Sequence, residues 1–304
     1  MDSRIRVANA PCSYGAFEIT VGVLPHVPQA EDVLEAIADA GYEGTELGPP
    51  GYLGGVETLR ERLERHGLAL VGGYIPIRFS EPDHWDEDLT AMGATLDLFA
   101  AADGAGAKAV LADGGSDERI RLPGRAARDP SIGLDDLGWR RLADGVARAA
   151  ELARTRGFEP TFHHHTATFV EAPWEIERLL ELTDVGLLLD TGHLALGGGD
   201  PTDGLRAWGE RINHVHVKDV HREILAGVIA DHADMPEAWR RGVFCELGTG
   251  DVDLDAFFAE LARLRYSGWL VVEQDMVPQS AEAAAAAASS QVRNRAWLTE
   301  HAAL

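Results

Sequence analysis

Histidines and carboxylates in this sequence follow directly on short apolar runs, and four such stretches stand out. They are FHHHTAT at 162–168, LLLDTGH at 187–193, HVHVKD at 214–219 and LVVEQD at 270–275. A carboxylate at the end of an apolar run needs a partner, because a hydrophobic interior does not tolerate an unpaired charge. Imidazole and carboxylate together suit a divalent cation, and borderline-soft imidazole favours Mn²⁺, Co²⁺, Fe²⁺ or Zn²⁺ over Mg²⁺. The stretches therefore predict a divalent metal site, and Mn²⁺ is the ion we expect.

The spacing within each stretch indicates which side chains can share one ion. Side chains alternate along a strand, so His163 and His165 face one side, as do His214, His216 and Lys218. The predicted metal ligands are His163 or His165, between which the spacing does not choose, together with Asp190, His216 and Glu273. Each alone has an ordinary explanation, as a hydrogen-bonded core histidine or a helix-capping acid. Their joint occurrence at four strand ends favours the metal site.

The elements that must position these residues alternate along the whole chain. Strands are predicted at 6–10, 44–47, 68–77, 108–112, 160–163, 185–190, 212–217 and 269–273. Helices are predicted at 31–40, 56–66, 89–102, 139–156, 174–182, 203–210, 254–264 and 281–298. Such alternation means parallel strands joined by right-handed crossovers. Eight units favour an α/β fold of the closed (β/α)₈ TIM-barrel type, one domain over 1–304, with its active face at the carboxyl ends of the strands.

Two connections on that face are predicted to be long and irregular, at about 113–137 and 221–250. Long loops in compact domains tend to serve as lids or binding loops. The alternative for both is a surface excursion or a contact in a homo-oligomer.

Composition narrows the possible partners. The 304 residues contain 27 Lys and Arg against 50 Asp and Glu, a formal net charge of −23. This balance argues against nucleic acid and anionic membranes as partners, since both are bound through basic side chains. The sequence has no apolar run of about 18 residues and no signal-peptide pattern, so we expect a cytoplasmic protein. Cys12 and Cys245 are expected to be reduced thiols.

Several motifs resemble one enzyme superfamily. They are APCSYG at 10–15, GTELG at 44–48, HHH at 163–165 with Glu171, DTGH at 190–193, HVKD at 216–219, GTGDVD at 248–253, and Glu273. With them the sequence resembles the xylose-isomerase-like TIM-barrel superfamily, which also contains sugar epimerases and endonuclease IV. Within it, the likeness is to the inosose dehydratase and sugar phosphate isomerase/epimerase-like branch.

The resemblance implies roles for individual positions. The ligands of the sixth, seventh and eighth strands match Asp190, His216 and Glu273. On the fifth strand, epimerases and isomerases of the superfamily carry a glutamate where this chain has histidine. That departure argues against an epimerase that works with two glutamates. The extra metal ligands of endonuclease IV relatives serve a DNA substrate, which the charge of −23 disfavours.

The resemblance also implies a small polyhydroxylated ketone, a keto-sugar or keto-cyclitol, as substrate. A metal can hold its carbonyl and stabilise the enolate formed when the adjacent C–H is deprotonated. Loss of a β-hydroxyl then makes the enzyme a lyase of the inosose dehydratase type, whereas reprotonation on carbon makes it an isomerase or epimerase. His165 or Glu273 is the expected base, and Lys218 or His193 the expected proton donor, unless Lys218 only orients the ligands.

Further side chains are expected to bind the substrate. Glu46 ends the second strand and Glu18 follows the first, and either could accept hydrogen bonds from substrate hydroxyl groups. Tyr14 could stack on the ring, and Glu246 is a further candidate. The alternative for the acids is a helix cap or an ion-pair partner. For the whole protein, the alternative of another class is a barrel that binds a ligand without catalysis.

Overall fold

Eight parallel strands close into a barrel in the computed structural model, which describes residues 5–302. The barrel strands are β1 (Ile5–Asn9), β2 (Gly44–Glu46), β3 (Ala69–Ile77), β4 (Lys108–Asp113), β5 (Pro160–His163), β6 (Gly186–Asp190), β7 (Ile212–Val217) and β10 (Gly268–Val272). Neighbours in sequence are neighbours in the barrel, and β10 pairs with both β7 and β1. The expected (β/α)₈ fold is confirmed.

Twelve helices surround or cap the barrel within the described part of the chain. They are α1 (Ala30–Asp39), α2 (Leu59–His66), α3 (Trp85–Ala101), α4 (Asp117–Arg121), α5 (Asp136–Thr155), α6 (Pro173–Leu182), α7 (Thr191–Leu196), α8 (Pro201–Trp208), α9 (Arg222–Ala230), α10 (Met235–Arg240), α11 (Leu254–Arg263) and α12 (Ala281–His301). All eight predicted helices correspond to one of these, with ends that differ by a few residues. Such differences are ordinary because helix termini carry the weakest local signal.

The two connections expected to be irregular contain regular structure, which corrects that expectation. The first holds α4, and the second holds α9 and α10 between two short antiparallel strands, β8 (Asp219–Val220) and β9 (Phe244–Cys245). These helices have only five to nine residues. A helix this short shows less than three turns of periodicity, so the sequence pattern does not reveal it.

Strand register sets the depth of the site. Asp190 at the end of β6 lies opposite His216 on β7, and Glu273 follows the β10 residue that pairs with Val217. The carboxyl ends of three adjacent strands thus reach one level of the barrel. Between β2 and β3 the register shifts by one residue, so that Glu46 pairs with Gly72. Such a bulge changes the direction in which a side chain points. The side chain at this bulge, Glu46, is buried.

A buried ion-pair cluster fastens the first long connection to the barrel. Arg119 of α4 is fully buried, and its guanidinium nitrogens lie 2.7 Å from Glu171 and 2.8 Å from Glu175 at the start of α6. The backbone N–H of Gly124 also donates to the Glu171 carboxylate. The 113–137 segment is therefore held in place by charge-assisted hydrogen bonds, which are stronger than neutral ones.

Replacing Arg119 by methionine should lower the free energy of unfolding by about 3–5 kcal/mol, because it leaves two buried carboxylates without their cation. Urea denaturation measures the change. The control is Arg121→Met, two residues further on in an exposed position, which should stay within about 0.5 kcal/mol of the parent. Equal stability of both variants would contradict the structural role assigned to Arg119.

Candidate active site

The carboxyl ends of the strands surround a cavity of about 300 Å³. Its floor is polar and its upper wall is apolar. The polar lining residues are Cys12, Glu18, Glu46, Tyr74, His163, His165, His216, Lys218, Glu273 and Asp275. The apolar wall includes Phe17, Ile19 and Trp239, and the Phe17 and Trp239 rings meet edge to face with centroids 5.5 Å apart. An apolar pocket with a few convergent polar groups is the usual form of a small-molecule site.

Three of the residues expected to bind metal lie together at the cavity floor, where His216 and Glu273 line the cavity and Asp190 is buried next to them. His216 Nδ1 lies 3.1 Å from Glu273 Oε2 and 3.6 Å from Asp190 Oδ2, and all three side chains are almost completely buried. One ligand atom from each falls within 4.8 Å of the others. The structure therefore brings together the ends of β6, β7 and β10 as the sequence predicted, and this group could hold a metal ion.

Two atoms of this group lack hydrogen-bond partners among residues 5–302. They are Asp190 Oδ2 and His216 Nδ1, and both are buried. Buried polar atoms are nearly always paired, and a metal ion bound between these two atoms would pair both. Burial lowers the pKa of His216, but the Glu273 and Glu46 carboxylates outweigh burial and raise the pKa well above its usual value. The neighbouring carboxylates thus favour a positive charge at this point, which a proton on His216 supplies in the metal-free protein and which a metal ion would supply in its place.

The two fifth-strand candidates occupy different places. His163 Nε2 lies 3.7 Å from Asp190 Oδ2, while its Nδ1 contacts the carbonyl of His164. His165 Nδ1 lies 2.8 Å from the Thr166 carbonyl, and its ring lies against that of His193 with centroids 3.8 Å apart. Burial lowers the pKa of His165 to about 4, so its ring is neutral at pH 7. His163 therefore adjoins the Asp190 group, whereas His165 lies to one side of it.

Lys218 lies at the centre of the acidic cluster. Its ammonium nitrogen lies 2.9 Å from Glu273, 3.0 Å from Asp275 and 3.5 Å from Asp190. His193 Nε2 lies 3.1 Å from the same nitrogen and is fully buried behind it. His193 is not among the residues that line the cavity, so the structure does not support its expected contact with the substrate.

Asp275 was not among the predicted site residues, yet it lines the cavity. It lies two residues after Glu273 beyond the end of β10, and strand alternation places such positions on the same side. That spacing is the signal which could have identified it. Asp275 also lies close to Cys12 and Glu273. Cys12 and Cys245 are both free thiols, as expected.

The four residues expected to bind substrate have different locations. Glu18 and Glu46 line the cavity. Tyr14 is buried outside the cavity lining, which corrects the expectation that it stacks on the ligand. Glu246 also lies outside the cavity, because its carboxylate lies 2.6 Å from Arg293 of α12 and 3.0 Å from Ser290. Glu246 thus takes the ion-pair role that the sequence analysis named as the alternative.

The GTGDVD motif at 248–253 has a structural role here. The buried Asp219 carboxylate accepts four backbone N–H groups, from Val220, Gly248, Gly250 and Val252, at 2.9–3.1 Å. A Cβ on Gly250 would lie 2.3 Å from this carboxylate, so only glycine fits. Asp219 therefore fixes the loop after β9, and the described structure shows no ion pair between the Lys218 and Asp219 side chains.

Comparison with known proteins identifies the family of this chain. The model of the xylose isomerase-like TIM barrel family matches residues 34–297. The chain belongs to the xylose isomerase-like TIM barrel family. The superfamily expected from the sequence motifs is confirmed.

The sequence relatives of this chain include enzymes of this family. The chain is 35% identical over 284 residues to the inosose dehydratase of Geobacillus kaustophilus (strain HTA426), covering 90% of this chain and 88% of that one. It is 35% identical over 259 residues to the rhizopine catabolism protein MocC of Rhizobium meliloti, covering 83% and 76%. The expected relationship to inosose dehydratases is therefore confirmed, and the homologues are enzymes.

Among solved structures, the fold resembles that of the IolI protein, which was crystallised with a bound zinc atom. The TM-score is 0.69 at 16% identity, covering 98% of this chain and all of the other. At that identity the likeness concerns the fold alone. None of the helices in the described part of the chain is long and apolar enough to cross a membrane. A cytoplasmic location and a homo-oligomer stay predictions.

Proposed function

We propose that this member of the xylose isomerase-like family is a divalent-metal-dependent dehydratase of a keto-cyclitol of the inosose type. The observation that carries the proposal is the buried group of Asp190, His216 and Glu273, in which one ligand atom of each lies within 4.8 Å of the others. The names of the sequence relatives support inosose as the substrate class.

The ion would be held by His163, Asp190, His216 and Glu273, with Mn²⁺ as the first candidate and Co²⁺, Fe²⁺ or Zn²⁺ as alternatives. His163 fits better than His165, because its Nε2 is the imidazole nitrogen 3.7 Å from Asp190 Oδ2. A bound divalent ion supplies Lewis-acid stabilisation of negative charge on a substrate oxygen. The role of the protein is to hold these ligands together in a buried site, where His216 would release the proton on Nδ1 as the ion binds.

His165 is the base that the geometry supports. Its Nδ1 lies 2.8 Å from the Thr166 carbonyl, which can only accept, so the proton is on Nδ1 and the lone pair is on Nε2. In the proposed reaction Nε2 takes the proton from the carbon next to the substrate carbonyl. The C–O bond to the β-hydroxyl then breaks, and the hydroxyl leaves as water after taking up a proton. Protonated His165 and Lys218 are the two groups at this wall that can supply that proton.

The charges of the cavity favour an uncharged substrate. Lys218 is the sole lysine or arginine among the residues that line the described cavity. Its ammonium group is already surrounded by Asp190, Glu273 and Asp275. A phosphate or carboxylate on the substrate would find no free cation and would meet acidic side chains at close range. Neutral polyols are therefore preferred over sugar phosphates.

An activity assay in deuterated solvent tests the proposal. The purified protein, loaded in turn with Mn²⁺, Co²⁺ and Zn²⁺, is given an inosose, a neutral ketohexose and a ketose phosphate. We expect loss of water from the inosose, seen as a new enone absorbance. Deuterium uptake without loss of water would instead show an isomerase or epimerase. Absence of metal and of any turnover would show a barrel that only binds.

His165→Asn should abolish water loss, because it removes the Nε2 lone pair, while metal stoichiometry stays at the parent value. Turnover should fall by at least about 100-fold, the usual contribution of a general base. Turnover and bound metal are measured on the same preparation. Parent-level turnover in this variant would remove His165 from the reaction.

A further inference from the structure

Glu46 contacts two histidines through a single oxygen atom. Its Oε1 lies 2.9 Å from His214 Nε2 and 2.9 Å from His216 Nε2, and all three side chains are buried. A carboxylate oxygen can only accept hydrogen bonds, so each imidazole must donate an N–H from its Nε2. Glu46 thereby fixes where the His216 ring carries its proton.

The opposite nitrogen of the same ring faces the candidate metal position. In a neutral imidazole with its proton on Nε2, the lone pair is on Nδ1. His216 Nδ1 lies 3.1 Å from Glu273 Oε2 and 3.6 Å from Asp190 Oδ2, both of which are acceptors. A divalent ion bound here would take the place of the proton on Nδ1, next to these two carboxylate oxygens.

We propose that Glu46 is a positioning residue which holds His216 in the Nε2–H form and so presents Nδ1 to the metal, instead of binding a substrate hydroxyl. Carboxylates in this second layer orient metal-bound histidines and raise their basicity. The proposal rests on the metal site proposed above and not on the identity of the substrate.

The backbone around Glu46 is adapted to this contact. The shifted register between β2 and β3 pairs Glu46 with Gly72. A Cβ built on Gly72 would lie 3.0 Å from Glu46 Oε1, closer than side-chain atoms normally approach. Glycine at 72 thus leaves the space in which the carboxylate meets both imidazoles.

Metal affinity is the measurement that separates the two roles of Glu46. The dissociation constant for Mn²⁺ is determined by competition with a chromophoric chelator, in the absence of substrate. We expect Glu46→Ala to weaken Mn²⁺ binding about 10- to 100-fold. Glu46→Gln keeps an acceptor oxygen for the His216 N–H and should lose less. Glu18→Gln removes another cavity acid, which forms no hydrogen bond or ion pair with His216 in the described structure, and the Mn²⁺ affinity of this variant should equal that of the parent.

A second measurement determines directly which nitrogen of the His216 ring carries the proton. Nitrogen-15 NMR of the metal-free protein, with the His216 signals assigned from a His216→Gln spectrum, should show a proton on Nε2 that loses its fixed position in Glu46→Ala. If Glu46→Ala does not fold, Gly72→Ala displaces the carboxylate instead and should also weaken Mn²⁺ binding.

Parent-level Mn²⁺ affinity in the folded Glu46 variants, with only KM raised, would overturn the proposal and make Glu46 a substrate ligand. A parent protein that binds no metal would instead refute the metal site itself, so the two failures are distinguishable.

Discussion

Glu273→Gln should abolish stoichiometric metal binding and lower turnover by at least about 100-fold, more than the loss of a residue that only supports a ligand. The substitution keeps the shape of the side chain but removes the negative charge 3.1 Å from His216 Nδ1. The barrel should stay folded, because Lys218 keeps Asp190 and Asp275 as counter-charges. Elemental analysis of the purified variant, circular dichroism and turnover test these three expectations.

The matched control is Glu246→Gln. This glutamate lies outside the cavity and pairs with Arg293 on α12. We expect the parent metal content and the parent turnover in this variant. Equal losses in Glu273→Gln and Glu246→Gln would show that the effect of Glu273 arises from general destabilisation and not from the metal site.

Lys218→Met should have the second large effect, and it should separate metal binding from turnover. Without the ammonium group, Asp190, Glu273 and Asp275 lose a shared buried cation, and the metal-free protein should lose about 3–5 kcal/mol of unfolding free energy. A divalent ion is attracted more strongly once the competing positive charge is gone. The dissociation constant for Mn²⁺ should therefore stay at or below the parent value, while turnover is lost.

Denaturation with and without saturating Mn²⁺ checks this prediction, because ligand binding to the folded state raises its stability. Mn²⁺ should restore more stability to Lys218→Met than to the parent. Lys108, the other lysine of the chain, begins β4 at the opposite end of the barrel, and Lys108→Met should change the stability by less than about 1 kcal/mol. Weakened metal binding in Lys218→Met would argue that the lysine orients the ligands.

The barrel could be predicted from the sequence because the signal is repeated eight times. Each strand is a short apolar run bounded by turns, and each crossover helix is long enough to show its period. The short helices α9 and α10 lack that length. Their positions are decided by packing over the cavity, where Trp239 contacts Phe17 from a distant part of the chain.

The part of the candidate site that lies at the ends of strands could be predicted from the sequence. Asp190, His216 and Glu273 converge because parallel strands deliver their carboxyl ends to one face, whatever the loops do. The role of Glu46 depends on a register shift, and that of Glu246 on an ion pair across 47 residues. Local periodicity reveals neither feature. The sequence therefore indicated both residues as candidates but not the side chains that they contact.

The excursion between β8 and β9 has a consequence for how such an enzyme can diversify. Residues 222–240 lie between β8 and β9, which pair with each other, so the segment begins and ends at neighbouring points of the fold. Trp239, near its end, forms part of the cavity wall. The proposed metal ligands lie on or directly after other strands. An insertion, deletion or exchange in this segment would therefore change the shape of the cavity wall, and with it the substrate specificity. The proposed metal ligands would keep their places, so specificity can evolve separately from the metal site.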